Sequence, residues 1–388
     1  MAYKIEATIR AVAIAIQARV PVLLTGNPGA AKTSIVTALF RDLCREHHTA
    51  VVALHEPPDF GGLPTRAEAS DELPPRAEML PQAWQLRLAR VTGDGLAGLF
   101  LDELTNGAPQ VRAAALRGIC EGAWGELVIP NLTIAAAANP PDIAEGGYSL
   151  GAQLANRFCH IDWSIDPGWW CEQCLANFPP PRAELVPRLP AAWHAELVRV
   201  RATVTGFIYR RPALLNSCPG AAAERSGAWP SERTWTLAMQ VWAAAASVGY
   251  AVDPTTRAPT AELATLVSGL IGGAAATELW QFVRELDLPD PEELLKNPCS
   301  LRLSPRGDIA YATVQAVVAA VLQNNTNERW HAAFAVIAEV VRQGAEGLAA
   351  SACMLLGREA NRPADWNGRA PVGLDAMVPL ARQAGKYN

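Results

Sequence analysis

The sequence predicts an α/β domain with a covered parallel sheet, followed by all-helical material. Three observations predict it. Short apolar runs alternate with helical patterns through the first 165 residues, a Gly-rich turn follows the first of those runs, and strand-like runs stop beyond Asp166. Strands that alternate with helices in this way pair in parallel and are covered on both faces.

The elements follow in order. Residues 4–18 place Ile5, Ile9, Val12, Ala13 and Ile16 at the spacing of one helix face. Strand-like runs fall at 20–24, 50–54, 97–101, 132–138 and 159–163, with helical patterns between them at 32–46, 81–90, 108–121 and 150–157. Past Asp166, prolines at 179–181, 187 and 190 separate Ala-, Leu- and Val-rich helical stretches near 191–206, 234–248, 261–285 and 308–323. Two more follow near 328–343 and 346–357, and the tail 358–388 has the composition of a partly disordered segment. The expected organisation is a core over 1–165, a helical part over 166–290 and a helical extension over 291–388, with the second break near 288–292.

Composition narrows the function classes. A net charge of −5 leaves no electrostatic footprint for nucleic acid or an anionic membrane surface. The apolar runs fall well short of the roughly 20 residues of a membrane span. The eight cysteines are scattered rather than laid out as a disulfide framework, which suits a reducing compartment. Arg10 and Arg19 interrupt the apolar N-terminal positions, unlike a signal peptide, so the expected location is cytoplasmic.

Chemistry concentrates at three strand ends. Gly26, Asn27, Pro28, Gly29, Ala30, Ala31, Lys32, Thr33 and Ser34 follow the first apolar run and open a helix. A strand feeding a Gly-rich turn and a helix N-terminus is a phosphate cradle, with Lys32 reaching the β- and γ-phosphates and Thr33 holding Mg²⁺. Ala31 stands where glycine is usual, and its methyl group is tolerated if the local φ is negative. The 97–101 run ends in Asp102 and Glu103, suited to hold Mg²⁺ and to act as general base. The 132–138 run ends at Asn139, which either contacts the γ-phosphate and the attacking water or only starts an Asn-Pro turn. Arg157, before the last strand, is either a surface residue or an arginine that enters a neighbouring subunit's site. Arg233 follows the N-cap candidate Ser231 and either meets the nucleotide or forms a surface ion pair.

This order of parts resembles the AAA+ ATPases: Gly26 to Thr33 as Walker A, Asp102 and Glu103 as Walker B, Asn139 as sensor 1, Arg157 as arginine finger and Arg233 as sensor 2. Gly26-Asn-Pro-Gly29-Ala-Ala31-Lys32, the Leu101-Asp-Glu-Leu-Thr-Asn-Gly-Ala-Pro109 stretch and Ala138-Asn-Pro140 are similar to the MoxR branch. The resemblance is good over 5–165, fair to the Arg233 helix and thin beyond Asp290. It implies a five-stranded αβα core, a helical lid over 166–290, Mg²⁺-dependent ATP hydrolysis and a ring, commonly a hexamer. It also implies chaperone-like action on a protein client, often with a partner carrying a von Willebrand factor A domain. In that fold Arg157 lies across the core from Lys32, so a neighbour would supply it. A rival expectation is a nucleotide-gated scaffold or switch in a defence or signalling complex. A DNA translocase is disfavoured by the acidic balance.

Other features carry less. Pro58 to Leu63 has the glycines and the aromatic of a mobile axial loop, in which Phe60 either touches a client or packs locally, and 64–81 reads as an acidic loop. Cys171 and Cys174, with Cys159 and His160 upstream, offer a zinc ligand set, but His160 falls in a strand and the pair on a helix. Tryptophans near 163–170 and 229–242 read as helix-packing anchors.

Overall fold

The computed structural model describes residues 3–68, 74–140, 149–286 and 288–369. Its centre is a parallel sheet of β1 (Val22–Thr25), β2 (Glu46–Val51), β3 (Ala97–Asp102), β4 (Leu132–Ala138) and β5 (Cys159–Asp162). The strand order is β2-β3-β4-β1-β5. β1 therefore lies between β4 and β5, and the carboxyl ends of β1, β3 and β4 share one edge, where ligands of open α/β sheets bind. The expected α/β class, a five-stranded parallel core with helical material after it, is the observed one.

Burial explains the strands. β4 reads Leu-Thr-Ile-Ala-Ala-Ala-Ala, and Thr133 to Ala138 are all buried. Both faces are covered, so small side chains let the layers close on the sheet. The first helix, α1 (Lys4–Gln17), is buried almost all round rather than along one stripe, with Arg10 paired to Glu262 at 2.7 Å. After it come α2 (Lys32–Leu43), α3 (Pro109–Glu121), α4 (Pro167–Leu175), α5 (Glu232–Ser247) and α6 (Ala261–Ile271).

Several boundaries depart from the sequence pattern for identifiable reasons. β2 occupies 46–51 rather than 50–54, because it is an edge strand whose polar half, Glu46 to Thr49, pairs with Ala97 to Phe100. The 261–285 pattern breaks at Gly272, where φ is 80°, into α6 and the helix Gly273–Glu285. The 150–157 pattern is a single turn, Ala152–Ala155. Part of the expected 64–81 loop is an antiparallel hairpin, Leu63–Ala67 with Arg76–Leu80; its 69–73 stretch lies outside the described residues, as does 370–388 of the tail.

Phe60 is not available to a client. It sits in the short helix Pro57–Gly61, 1% exposed, with its ring centroid 5.8 Å from Trp124 and 6.4 Å from Trp84. Local packing is its role.

Two compact units emerge from the contacts. The first comprises Met1–Ala191, Asn216–Pro254 and Ala258–Ala276; it contains the sheet and α1 to α6. Within it α6 lies on β5 so closely that a Cβ on Gly269 would meet the His160 carbonyl oxygen at 2.3 Å. The second comprises Ala192–Leu215, Thr255–Arg257 and Thr277–Asn388. There the helix Leu197–Arg210 lies on Gly307–Gln323, and Val317, Trp330, Phe334 and Ile337 centre a separate core. Arg210 and Arg306 both pair with Glu285 and Asp308. Among the described residues no helix is long and apolar enough to cross a membrane.

His48 of β2 stacks on Trp84 at 5.0 Å, and burial brings its pKa down from 6.5 to about 4. The folded state then favours neutral imidazole. Its stabilising contribution is complete above pH 6.5 and is lost as pH falls through about 4. Urea unfolding midpoints measured from pH 7 to pH 4 should fall less steeply for His48→Gln than for the unaltered chain.

Candidate functional site

The site is built on the end of β1. Thr25 pairs with Ala138 of β4 and Asp162 of β5, and the chain then leaves the sheet edge as residues 26–31. Gly26 donates its N–H to the Ala138 carbonyl at 3.3 Å, and the Trp163 indole N–H donates to the Ala30 carbonyl at 2.8 Å. A Cβ at Gly26 would sit 2.3 Å from the Trp163 carbonyl oxygen, so this approach requires glycine. Gly29 has φ 76°. Ala31 also has a positive φ, 56°, against the negative value its methyl group led us to expect. A left-handed alanine costs roughly 1–2 kcal/mol, strain of the kind that gathers at functional sites.

Ala31 is also the N-cap of α2, and no side chain caps that helix. The N–H groups of a first turn have no partner inside their own helix, and together with the helix dipole they form a seat for an anion. Lys32 occupies the centre of this seat, buried, donating from Nζ to the carbonyls of Gly26 and Asn27, the latter at 2.9 Å, and to Asn139 Oδ1 at 3.3 Å. Burial lowers its pKa below the ordinary lysine value, opposed by the carboxylate of Asp102. The ammonium therefore leans on carbonyl dipoles, and an anion would offset its desolvation better.

Next to it the Thr33 hydroxyl donates to Asp102 Oδ2 at 2.7 Å, and the Glu103 N–H donates to Asp102 Oδ1 at 3.0 Å. Glu103 is exposed and its backbone is left-handed, φ 53°. The structure thus brings Lys32, Thr33, Asp102 and Asn139 into direct contact, with Glu103 adjoining. A hydroxyl and a carboxylate already in contact are hard oxygen donors suited to Mg²⁺, and the loop with its lysine suits a triphosphate. A cleft of about 1060 Å³ opens beside the loop, lined by Ala30, Ala31 and Ser34 together with Trp163, Trp169 and Trp170.

Arg157 and Arg233 are elsewhere. Val22 pairs with Cys159, so Arg157 stands at the amino edge of the sheet, whereas Lys32 lies past its carboxyl edge. The length of β1, about 10 Å at 3.3 Å per residue, separates those edges. The two arginines instead line one cleft of about 390 Å³ together with Arg19 and Cys120. Asn156, buried, fixes this pairing: its Oδ1 accepts from Ser231 Oγ at 2.7 Å and its Nδ2 donates to the Trp229 carbonyl at 3.3 Å. Ser231 in turn caps α5, accepting from the Thr234 N–H at 3.2 Å. Burial raises the Cys120 thiol pKa while Arg157 and Arg233 draw it down.

Asn156 and the Trp163 indole were not singled out as functional in the sequence. The only signal for Trp163 was the tryptophan cluster at 163–170, read there as packing. Of the thiols, Cys159 is buried and donates to the Leu266 carbonyl at 3.3 Å, while Cys171 and Cys174 are exposed on α4. His160 Nε2 lies 2.9 Å from the Ala155 carbonyl oxygen. Among the described residues no cluster of three metal-ligating side chains forms.

No protein-family profile and no curated protein sequence matches this chain. A solved structure from Cytophaga hutchinsonii, described as a proposed ATPase, is 16% identical, covers 72% of this chain and 89% of its own, and has a TM-score of 0.42. A likeness that loose carries no residue roles across.

Replacing Ala31 with glycine relieves the left-handed strain at the cost of some added chain entropy. Ala31→Gly should raise the free energy of urea unfolding by up to about 1 kcal/mol. A loss of stability would show that the methyl group makes compensating contacts.

Proposed function

We propose that this chain is a MoxR-type AAA+ ATPase, acting in a ring oligomer, commonly hexameric, to remodel or activate a protein client. The observation that carries the reading is the convergence of Lys32, Thr33, Asp102 and Asn139 on an uncapped helix N-terminus beside a large cleft. The family, the client and the ring rest on the sequence resemblance, including the expectation of a partner with a von Willebrand factor A domain.

In this reading 26–31 and the first turn of α2 hold the phosphates, and Lys32 exchanges its carbonyl partners for β- and γ-phosphate oxygens. Thr33 and Asp102 are the residues that would hold Mg²⁺, which when bound neutralises charge on those oxygens. Glu103 orients the attacking water and takes its proton as the γ-phosphorus–oxygen bond to the leaving diphosphate breaks. Asn139, with Oδ1 engaged by Lys32, keeps its NH₂ as a donor for a γ-phosphate oxygen. Arg157 and Arg233, held together by Asn156 and lying away from their own loop, are supplied to a neighbour's γ-phosphate, so assembly gates turnover.

Glu103→Gln should reduce ATP turnover by about 100-fold or more while leaving nucleotide binding intact. Arg157→Ala should fall by a similar factor. Mixing the two inactive variants should restore part of the activity, because one supplies the loop and base and the other the arginines. Turnover that persists in Arg157→Ala, or no recovery on mixing, would contradict supply by a neighbour.

A further inference from the structure

Arg157 and Arg233 come from distant segments, yet they line one cleft. The acids beside them are engaged elsewhere: Glu121, in the wall of the same cleft, pairs with Arg117 at 3.3 Å, and Glu232 accepts from Asn216 Nδ2 at 2.9 Å. The two guanidinium groups are therefore left to a shared anion, and what fixes their separation decides how well they can hold one.

A buried side chain joins the two segments. Asn156, 5% exposed, immediately precedes Arg157, and Ser231, also 5% exposed, is the N-cap of α5, whose second residue is Arg233. Ser231 Oγ donates to Asn156 Oδ1 at 2.7 Å, and Asn156 Nδ2 donates to the Trp229 carbonyl at 3.3 Å. The amide can sit only one way round, because a carbonyl only accepts and so must face the NH₂. With its proton committed to Asn156, the Ser231 hydroxyl turns a lone pair to the Thr234 N–H at 3.2 Å and caps α5. The Arg157 side of the bridge is equally fixed. Its N–H donates to the Leu154 carbonyl at 3.0 Å, Phe158 after it is fully buried, and His160 Nε2 donates to the Ala155 carbonyl at 2.9 Å.

We propose that Asn156 is a positioning residue that sets the two arginines at one separation, so that they meet a neighbour's triphosphate as a single two-pronged unit. The proposal rests on the reading that a neighbour receives these arginines, and goes past it by naming the residue that couples them. Two long side chains mounted on a rigid base lose less freedom on meeting an anion than two presented separately. Their exact placement matters most where charge is spread over a phosphoryl group in transfer. Asn156, being buried, acts only through the backbone at 156–157 and through the cap of α5. An aspartate there would lose the donor to Trp229, and an aliphatic residue would lose both bonds.

The test uses the full chain alone and in mixtures of variants. Asn156→Ala should bind ATP at its own loop as the unaltered chain does, with KM little changed and turnover lower by about 10- to 100-fold. Its defect should run in one direction. Mixed with Glu103→Gln, which keeps its arginines, it should recover turnover, because its own loop and base are intact. Mixed with Arg157→Ala it should not, because neither chain then presents a positioned pair; a merely structural lesion would impair both mixtures. Ser231→Gly removes the same bond from the other end with a residue that helix N-caps tolerate, so it should reproduce this pattern even if Asn156→Ala proves unfolded in urea titration. The double variant should be no slower than the slower single one, since both remove one bond. Unchanged turnover in the single variants, recovery with Arg157→Ala, or additive losses in the double variant would overturn the positioning role. The mixture of Glu103→Gln with Arg157→Ala separates the two readings. If it recovers turnover while the Asn156 pattern fails, only the positioning role falls; if it does not, supply by a neighbour falls and the positioning role with it.

Discussion

The contact on which the rest depends is the buried Lys32 ammonium, tied to the loop carbonyls on one side and to Asn139 on the other. Together with Thr33 on Asp102 it joins the carboxyl ends of three different strands at one point. A buried ammonium without partners is strongly disfavoured, so these contacts also hold the strand ends in register. The strand order makes this possible by setting β1 beside β4, with β3 next along the sheet. The strained Ala31 is tolerated because the loop is fixed from both sides, by Gly26 against the Trp163 backbone and by Ala30 on the Trp163 indole.

Much of this was legible in the sequence because it is local. Glycine positions, the lysine and threonine opening a helix, and polar residues at the ends of apolar runs each mark a strand-to-turn transition that short-range physics enforces. Those runs located β1, β3, β4 and β5 closely and misplaced β2. An edge strand with one solvated side has no need of an apolar run, and its polar half is invisible to a hydropathy pattern. Ala31 was misjudged for a related reason: residue identity reports what a backbone position prefers, not what the surrounding structure can force on it.

What stayed hidden is the long-range part. Nothing near Phe60 announces that Trp84 and Trp124 will enclose it, and nothing near Asn156 announces Ser231, 75 positions away. The tryptophans of 163–170 read as packing anchors because half-exposed and buried tryptophans look alike in a sequence. The structure distinguishes them, with Trp169 buried and Trp170 half-exposed. Likewise Arg157 and Arg233 are unremarkable singly. What the structure adds is that they share one cleft at the amino edge of the sheet, opposite the phosphate loop.

The central claim is that Lys32 and its loop are a triphosphate seat, and equilibrium binding of ATP to the unaltered chain and to Lys32→Ala tests it most directly. The account predicts saturable, stoichiometric binding by the unaltered chain and its loss in the variant, with both proteins folded by circular dichroism. Equal affinity in the two, or no binding by either, would contradict it.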